Sequence, residues 1–396
     1  MLALTGVAAA TPPEVEVVVR ERGEPIQGLT AENFVVTLAD REIPVRVDEI
    51  RDGRRLSDAT TVATDVLIYI DEVFLIAPRR NKVLRRLSRE LDQLGPDDRV
   101  AIVVGDRDEV DVLTGWTRAL TLLRSAIDTA QDRASHGLER LGEQRQRENQ
   151  TVTRTPADFS SIGFSGYSLA PRELGSVGLH RANEVSTQIA DLVGGMRAAL
   201  VAVDRPATDT HRRKVLVPLL GAWPISPEAW VVDGSDGPAA GRAAARELFR
   251  PIVDTAVRFG YGIYPMVVEG WDIPGRTVAS RDAAAYDMLE WLAATSGGRQ
   301  LENGRGADML PTVLADHRDA YFVALEWPTN VDGDPLPLDI RLADGSARAE
   351  LRAPTRIADP DAKQWRRELL ADAQRFGVEQ RALGPINEER RTTSPD

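Results

Sequence analysis

Two carboxylates, Asp71 and Glu72, close the apolar run VLIYIDE, and a basic, helix-like segment, APRRNK, follows them. Carboxylates at the exit of a buried strand are where a hard dication such as Mg²⁺ finds oxygen ligands. A second acidic group, GDRDEVD, offers Asp106, Asp108, Glu109 and Asp111, but lacks the rest of a calcium loop and reads as a solvated turn. The histidines, His136, His180, His211 and His317, have neither metal-ligand spacing nor a Ser-His-Asp or H-E-x-x-H order, so they read as solvated loop residues. GFSGYS departs from the G-x-S-x-G elbow and sits in polar sequence instead of a strand-to-helix turn. No catalytic residue, resident metal or cofactor is therefore expected, and the chain is read as a non-enzyme.

Composition narrows the partners. At 396 residues the chain exceeds one ordinary core, which predicts a large domain with a smaller one. A formal charge of −12 disfavours nucleic acid and anionic membrane, since both need concentrated basic surface. The absence of cysteine removes disulfides, thiolate zinc sites and cysteine nucleophiles together. Lys82, Lys214 and Lys363 are the only lysines and none follows a glycine, which excludes the phosphate-binding loop. No stretch approaches the roughly 20 apolar residues of a membrane-spanning helix. The start, MLALTGVAAATPP, residues 1–13, reads either as the remnant of a signal peptide with an A-x-A-like site, which implies export to the periplasm or beyond, or as a frayed N-terminus, which leaves a cytoplasmic location open.

The elements that must position the carboxylates follow from periodicity. Residues 14–50 alternate apolar and polar in short runs separated by turns, the pattern of antiparallel strands. From residue 62 the pattern changes. Residues 66–70 are continuously apolar, as in a strand covered on both faces, and Val83, Leu84, Leu87, Leu91 and Leu94 then share a helical face that Gly95-Pro96 ends. Strand-like and helix-like segments alternate up to residue 328, with strands at 100–104, 110–113, KVLVPLL, YGIYPMVV and AYFVALEW and helices at 117–130, 185–203, 239–259, 282–294 and near 308–315. This predicts an α/β fold with a doubly wound, mostly parallel sheet and helices on both faces. Residues 131–179 form a polar insertion expected to be flexible. Residues 334–355 read as a β-hairpin turning at Asp344-Gly345, and residues 359–396 as a helix and a polar tail.

In this order, GEPIQGLTAENFVVTLADREIPV, LDQLGPDDRVAIV, LTGWTRALTLLRSAI, LEWLAATSGGRQLEN and RDAYFVALEWP resemble stretches of the bacterial VWFA-related family described from acidobacteria, a form of the von Willebrand factor type A (VWA) fold. Asn33 stands where that family usually has Asp. The resemblance implies that residues 14–50 and 334–355 meet in a small β-domain flanking a VWA-like domain at 62–328. It also implies where a metal would sit. VWA domains that bind Mg²⁺ use D-x-S-x-S after the first strand, a threonine from a second loop and an aspartate after a later strand. Here Val73 and Leu75 replace both serines and Leu220 stands where the aspartate is expected, leaving Asp71, Glu72 and Thr117 as a poor cage.

Two strands of the series are followed by tryptophans, Trp223 and Trp230 in GAWPISPEAW and Trp271 in VVEGWDIPG. Open α/β sheets bind ligands at the C-terminal rim of their strands, and Trp is enriched at interaction hot spots, although local loop packing accounts for these tryptophans equally well. The expected partner-binding rim is Asp71, Glu72, Thr117, Trp223, Trp230 and Trp271. The resulting expectation is a non-catalytic protein-interaction module with a degenerate metal site and a protein partner of unspecified identity. A metal-dependent adhesion domain with a rearranged site around Asp71, Glu72 and Asp106 is the alternative, and an enzyme with an unrecognised site the second.

Overall fold

The computed structural model describes residues 13–107, 109–140, 142–143, 171–204, 212–221, 237–268, 279–301, 308–327, 334–345, 348–358 and 364–378, with the backbone alone for 171–186, 237–245 and 279–286. Residues 1–12 of the signal-like start, 144–170 of the expected insertion, and Trp223, Trp230 and Trp271 lie outside the described residues. The strands are β1 (Glu14–Glu21), β2 (Glu24–Pro25), β3 (Phe34–Leu38), β4 (Arg41–Glu42), β5 (Val45–Arg51), β6 (Arg54–Arg55), β7 (Ala63–Asp71), β8 (Arg99–Asp106), β9 (Glu109–Thr117), β10 (Arg212–Leu220), β11 (Tyr261–Ile263), β12 (Met266–Val267), β13 (Ala320–Leu325), β14 (Leu336–Leu342), β15 (Ala349–Arg352) and β16 (Arg356–Ile357). The main helices are α1 (Ala77–Glu90), α2 (Leu120–Asp132), α3 (Pro171–Val203), α4 (Gly237–Phe259), α5 (Ala279–Ser296), α6 (Met309–Asp316) and α7 (Gln364–Gln374). The chain is a mixed α/β protein, with three sheets among the described residues.

The sheet that carries Asp71 runs β11-β10-β7-β8-β9, with β12 also on β10. Its β7, β8, β10, β11 and β12 pair in parallel, and β9 closes the edge antiparallel to β8. Every residue of β7 is buried, which its apolar sequence makes favourable on both faces. Leu67 and Tyr69 pack on one side with α3, α4 and α7, while Val66, Ile68 and Ile70 pack on the other with α1, α2 and α6. Each such buried aliphatic side chain contributes roughly 1.5–3 kcal/mol. The core therefore holds the strand, and the acid at its end is free to serve another purpose.

YGIYPMVV divides into β11 and β12 because the parallel register continued from Leu216↔Ile263 to Leu219↔Met266 sets Pro265 opposite Pro218, and neither proline has an N–H to donate. The helix α3 begins at Pro171, inside the segment expected to be an insertion.

Two other segments depart from the sequence pattern. AYFVALEW, expected to end the parallel series, forms β13, which lies between β1 and β5 and is antiparallel to both. A short apolar run suits any strand buried on both faces, so composition could not choose between the sheets. Nor do residues 334–355 close on themselves as a hairpin. Instead β14 pairs with β3 and β16, while β15 pairs with β1. Alternation explains this, because Leu338 and Ile340 of β14 pair with Leu38 and Val36 of β3 and turn to the same face of the sheet, into one core that also takes Val15, Val17, Val19, Tyr321 and Val323 from the other sheet. The rings of Phe34 and Tyr321 meet edge-on at 5.7 Å across it. Strands from both ends of the chain thus build a β-sandwich beside the N-terminal edge of the parallel strands.

Candidate functional site

Asp71 ends β7 opposite Gly105 of β8, and one residue before it Ile70 pairs with Leu219 of β10. The sheet order reverses between β7 and β10, so this is the point of the rim where an open α/β sheet ordinarily offers a crevice. Here the crevice is filled. The Asp71 Oδ1 accepts the backbone N–H groups of Val73 at 3.0 Å and Phe74 at 3.2 Å, and Oδ2 meets that of Gly221 at 3.5 Å. The carboxylate thereby curls the following loop inward, and Phe74 and Leu75 become fully buried. Glycines at two contacts permit the close fit. A Cβ on Gly221 would lie 2.6 Å from the Phe74 carbonyl oxygen, and one on Gly137 2.3 Å from that of Leu75. Ser135 donates to the same Leu75 carbonyl, and the His136 N–H donates to the Glu72 carbonyl at 2.9 Å, so residues 133–137 strap the loop down.

Glu72 is 1 % exposed and is neutralised by side chains from two helix termini. Arg80, fully buried in the first turns of α1, donates Nη1 to Glu72 Oε1 at 3.2 Å and Nη2 to the carbonyls of Gln131 and Arg133. Arg133, just past α2, donates Nε to Glu72 Oε2 at 3.0 Å and Nη1 to Asp111 at 2.7 Å. Burial pushes the Asp71 carboxyl up to about 7 against the pull of its N–H donors. Burial likewise raises Glu72 against its arginines and lowers the guanidinium of Arg80. An arginine nevertheless keeps its charge, so Glu72 has fixed cations where a metal ion would otherwise balance it.

The expected rim residues fare differently. Asp71 and Glu72 stand together at the switch point. Thr117 does not join them. It pairs with Val100 near the start of β8, about 16 Å along the strand from Gly105, because β9 runs back antiparallel. Its Oγ1 accepts the Ala119 N–H at 3.1 Å ahead of α2. Asp106 at the end of β8 holds the Arg107 N–H at 2.8 Å and lies 3.5 Å from His136 Nε2, while Asp108 is outside the described residues. Among the described residues no three His, Asp or Glu side chains converge as a metal ion needs. Val73, Leu75 and Leu220, at the remaining positions where the resemblance implies ligands, carry apolar side chains, and these residues do not fit an Mg²⁺ ion, which needs oxygen donors.

Sequence reasoning missed the two arginines. Arg80 had a signal: it continues the helical face of Val83, Leu84 and Leu87 backward by one turn, where a solvated residue is not expected. Arg133 had none, being an irregular position after a helix. His317, expected in solvent, is buried and lies 2.8 Å from Glu16.

No family model matches the chain, and no curated protein matches it. Among solved structures it is similar to the vWF domain of the type V pili tip protein Mfa5 from Porphyromonas gingivalis, at 14% identity over 62% of this chain and 91% of that one, with a TM-score of 0.30. The three N-terminal domains of Mfa5 align at 11% identity over 89% of this chain and 67% of that one, TM-score 0.31. The TFIIH p34 N-terminal domain aligns at 12% identity over 65% and 97%, TM-score 0.26. Scores at this level decide neither fold nor function.

Proposed function

We propose that the chain is a non-catalytic protein-interaction module whose β7-containing part is a doubly wound domain of VWA type, and that it engages a protein partner without a bridging metal ion. The observation that carries this reading is the state of the rim: Asp71 is satisfied by backbone N–H groups, Glu72 by Arg80 and Arg133, and the crevice between them is occupied by Phe74. A partner would meet the loops beyond this cap. The strands β10 and β12 both end on the Asp71 side of the sheet, and in the sequence they are followed by the segments that hold Trp223, Trp230 and Trp271.

Calorimetric titration of Mg²⁺, Mn²⁺ and Ca²⁺ into the full chain, with Asp71→Ala as control, tests the proposal. The expected result is no saturable heat for either protein. Saturable binding that disappears in the variant would replace this reading with metal-bridged adhesion centred on Asp71.

A further inference from the structure

The junction between the sandwich and the parallel strands gathers a second, different set of charges. Glu16 and Arg20 come from β1, Arg213 from β10, Asp316 and His317 from the end of α6, Arg299 from the turn after α5, and Arg352 from β15. Asp316 lies 2.9 Å from Arg352 Nη1, 3.4 Å from Arg299 Nε and 3.8 Å from Arg20 Nη2. Glu16 Oε1 lies 2.8 Å from both Arg213 Nε and His317 Nδ1. Four guanidiniums thus share two carboxylates, Asp316 buried and Glu16 20 % exposed, while Arg299 at 43 % and the Glu350 that reaches Arg352 at 3.4 Å, at 63 %, face solvent.

Backbone carbonyls at the end of α6 take some of the donors, Ala315 from Arg20 and His317 from Arg213. Others are buried and have no partner among the described residues: Arg213 Nη2, Arg352 Nη2, Arg20 Nε, His317 Nε2 and the hydroxyl of Tyr264. Tyr264 is fully buried, with its ring 5.5 Å from that of His317, and the Arg213 side chain is only 2 % exposed. Buried donors without acceptors are costly, and here they coincide with three largely buried guanidiniums, Arg20, Arg213 and Arg352, against two carboxylates at contact distance. Water would answer the hydrogen bonds and leave the charge. An oxyanion answers both, since guanidinium forks match its geometry.

We infer that this junction binds a small oxyanion of the phosphate or sulfate class, held by Arg352, Arg213 and Tyr264, which ties the sandwich to the parallel sheet. The inference is independent of the metal-free rim. Its test is thermal unfolding and calorimetry of the full chain with inorganic phosphate, sulfate or chloride at matched ionic strength, repeated with Tyr264→Phe and Arg352→Lys. Tyr264→Phe removes only an unpartnered hydroxyl, so it keeps the fold, and Arg352→Lys keeps the charge beside Asp316. The expected result is stabilisation by phosphate or sulfate over chloride, with affinity about tenfold weaker in each variant, as for a lost hydrogen bond to a charged group. Equal stabilisation of wild type and both variants would mean an adventitious ion only. Absence of any oxyanion effect would mean that water fills the junction. Either of these two outcomes overturns the inference.

Discussion

The two ends of β7 each carry a buried aspartate, and the chain treats them in opposite ways. At the N-terminal end Asp65 receives Arg99 Nη2 at 2.6 Å and Arg212 Nη2 at 2.5 Å. Burial alone would raise its carboxyl, but the hydrogen bonds and charges of Arg99 and Arg212 outweigh that and hold it below the ordinary carboxylate value. At the C-terminal end Asp71 receives neutral N–H groups from its own loop, and burial prevails, bringing it to about 7. Counter-ions thus tie Asp65 to neighbouring strands, whereas backbone donors make Asp71 the keystone of a cap. The lesson concerns the rim: the place where such sheets usually hold a ligand is here used to fold a loop shut.

Among the substitutions, the largest effect should come from the cap's ion pair. Arg80→Ala leaves Glu72 buried with Arg133 alone and should cost about 3 kcal/mol in urea unfolding, whereas Arg99→Ala at the other end, where the guanidinium is partly solvated, should cost under about 1 kcal/mol. Next comes the close packing of the loop. Gly221→Ala drives a methyl into the Phe74 carbonyl and should destabilise by about 1–3 kcal/mol, read in the same assay.

The pH dependence sharpens the contrast further. Asp71 has a raised carboxyl in the folded state, so between about pH 4 and 7 the native chain holds more protons than the unfolded one, and stability falls as pH rises through that window, by at most about 4 kcal/mol. The lowered Asp65 behaves in reverse, its contribution being present above its unfolded value and lost as pH falls below it. Other buried acids also titrate, so the readout is the difference between wild type and Asp71→Asn in unfolding free energy across pH 4 to 7. A slope that persists unchanged in Asp71→Asn contradicts the assignment. Away from both ends of β7, Thr117→Ala should cost about 1 kcal/mol through loss of the acceptor for the Ala119 N–H, with no change at the rim, read in the same assay.

Much of this comparison was legible in the sequence, and the rest was hidden for identifiable reasons. The apolar run into Asp71 announces a buried strand ending in an acid, and the spacing of Val83, Leu84 and Leu87 announces the helix that follows. The apolar residues at 73, 75 and 220 already speak against a cation cage. Thr117 was misplaced because the strand that returns after the GDRDE turn, expected to end at Leu113, runs on to Thr117 and carries it away from the rim. The pairing of Glu72 with Arg80 and Arg133 depends on side chains meeting from separate helices, and local spacing holds no record of that. For the same reason the apolar run of β13 could not reveal that it belongs to the sandwich.

The central claim, that the rim is closed by its own loop and takes no metal ion, is tested most directly by the unfolding free energy of the full chain in excess Mg²⁺ against EDTA at matched ionic strength. The account predicts equal values. An ion at 100 times its dissociation constant would add about 2.7 kcal/mol to the native state, and a gain of that order, lost in Asp71→Ala, would contradict the account.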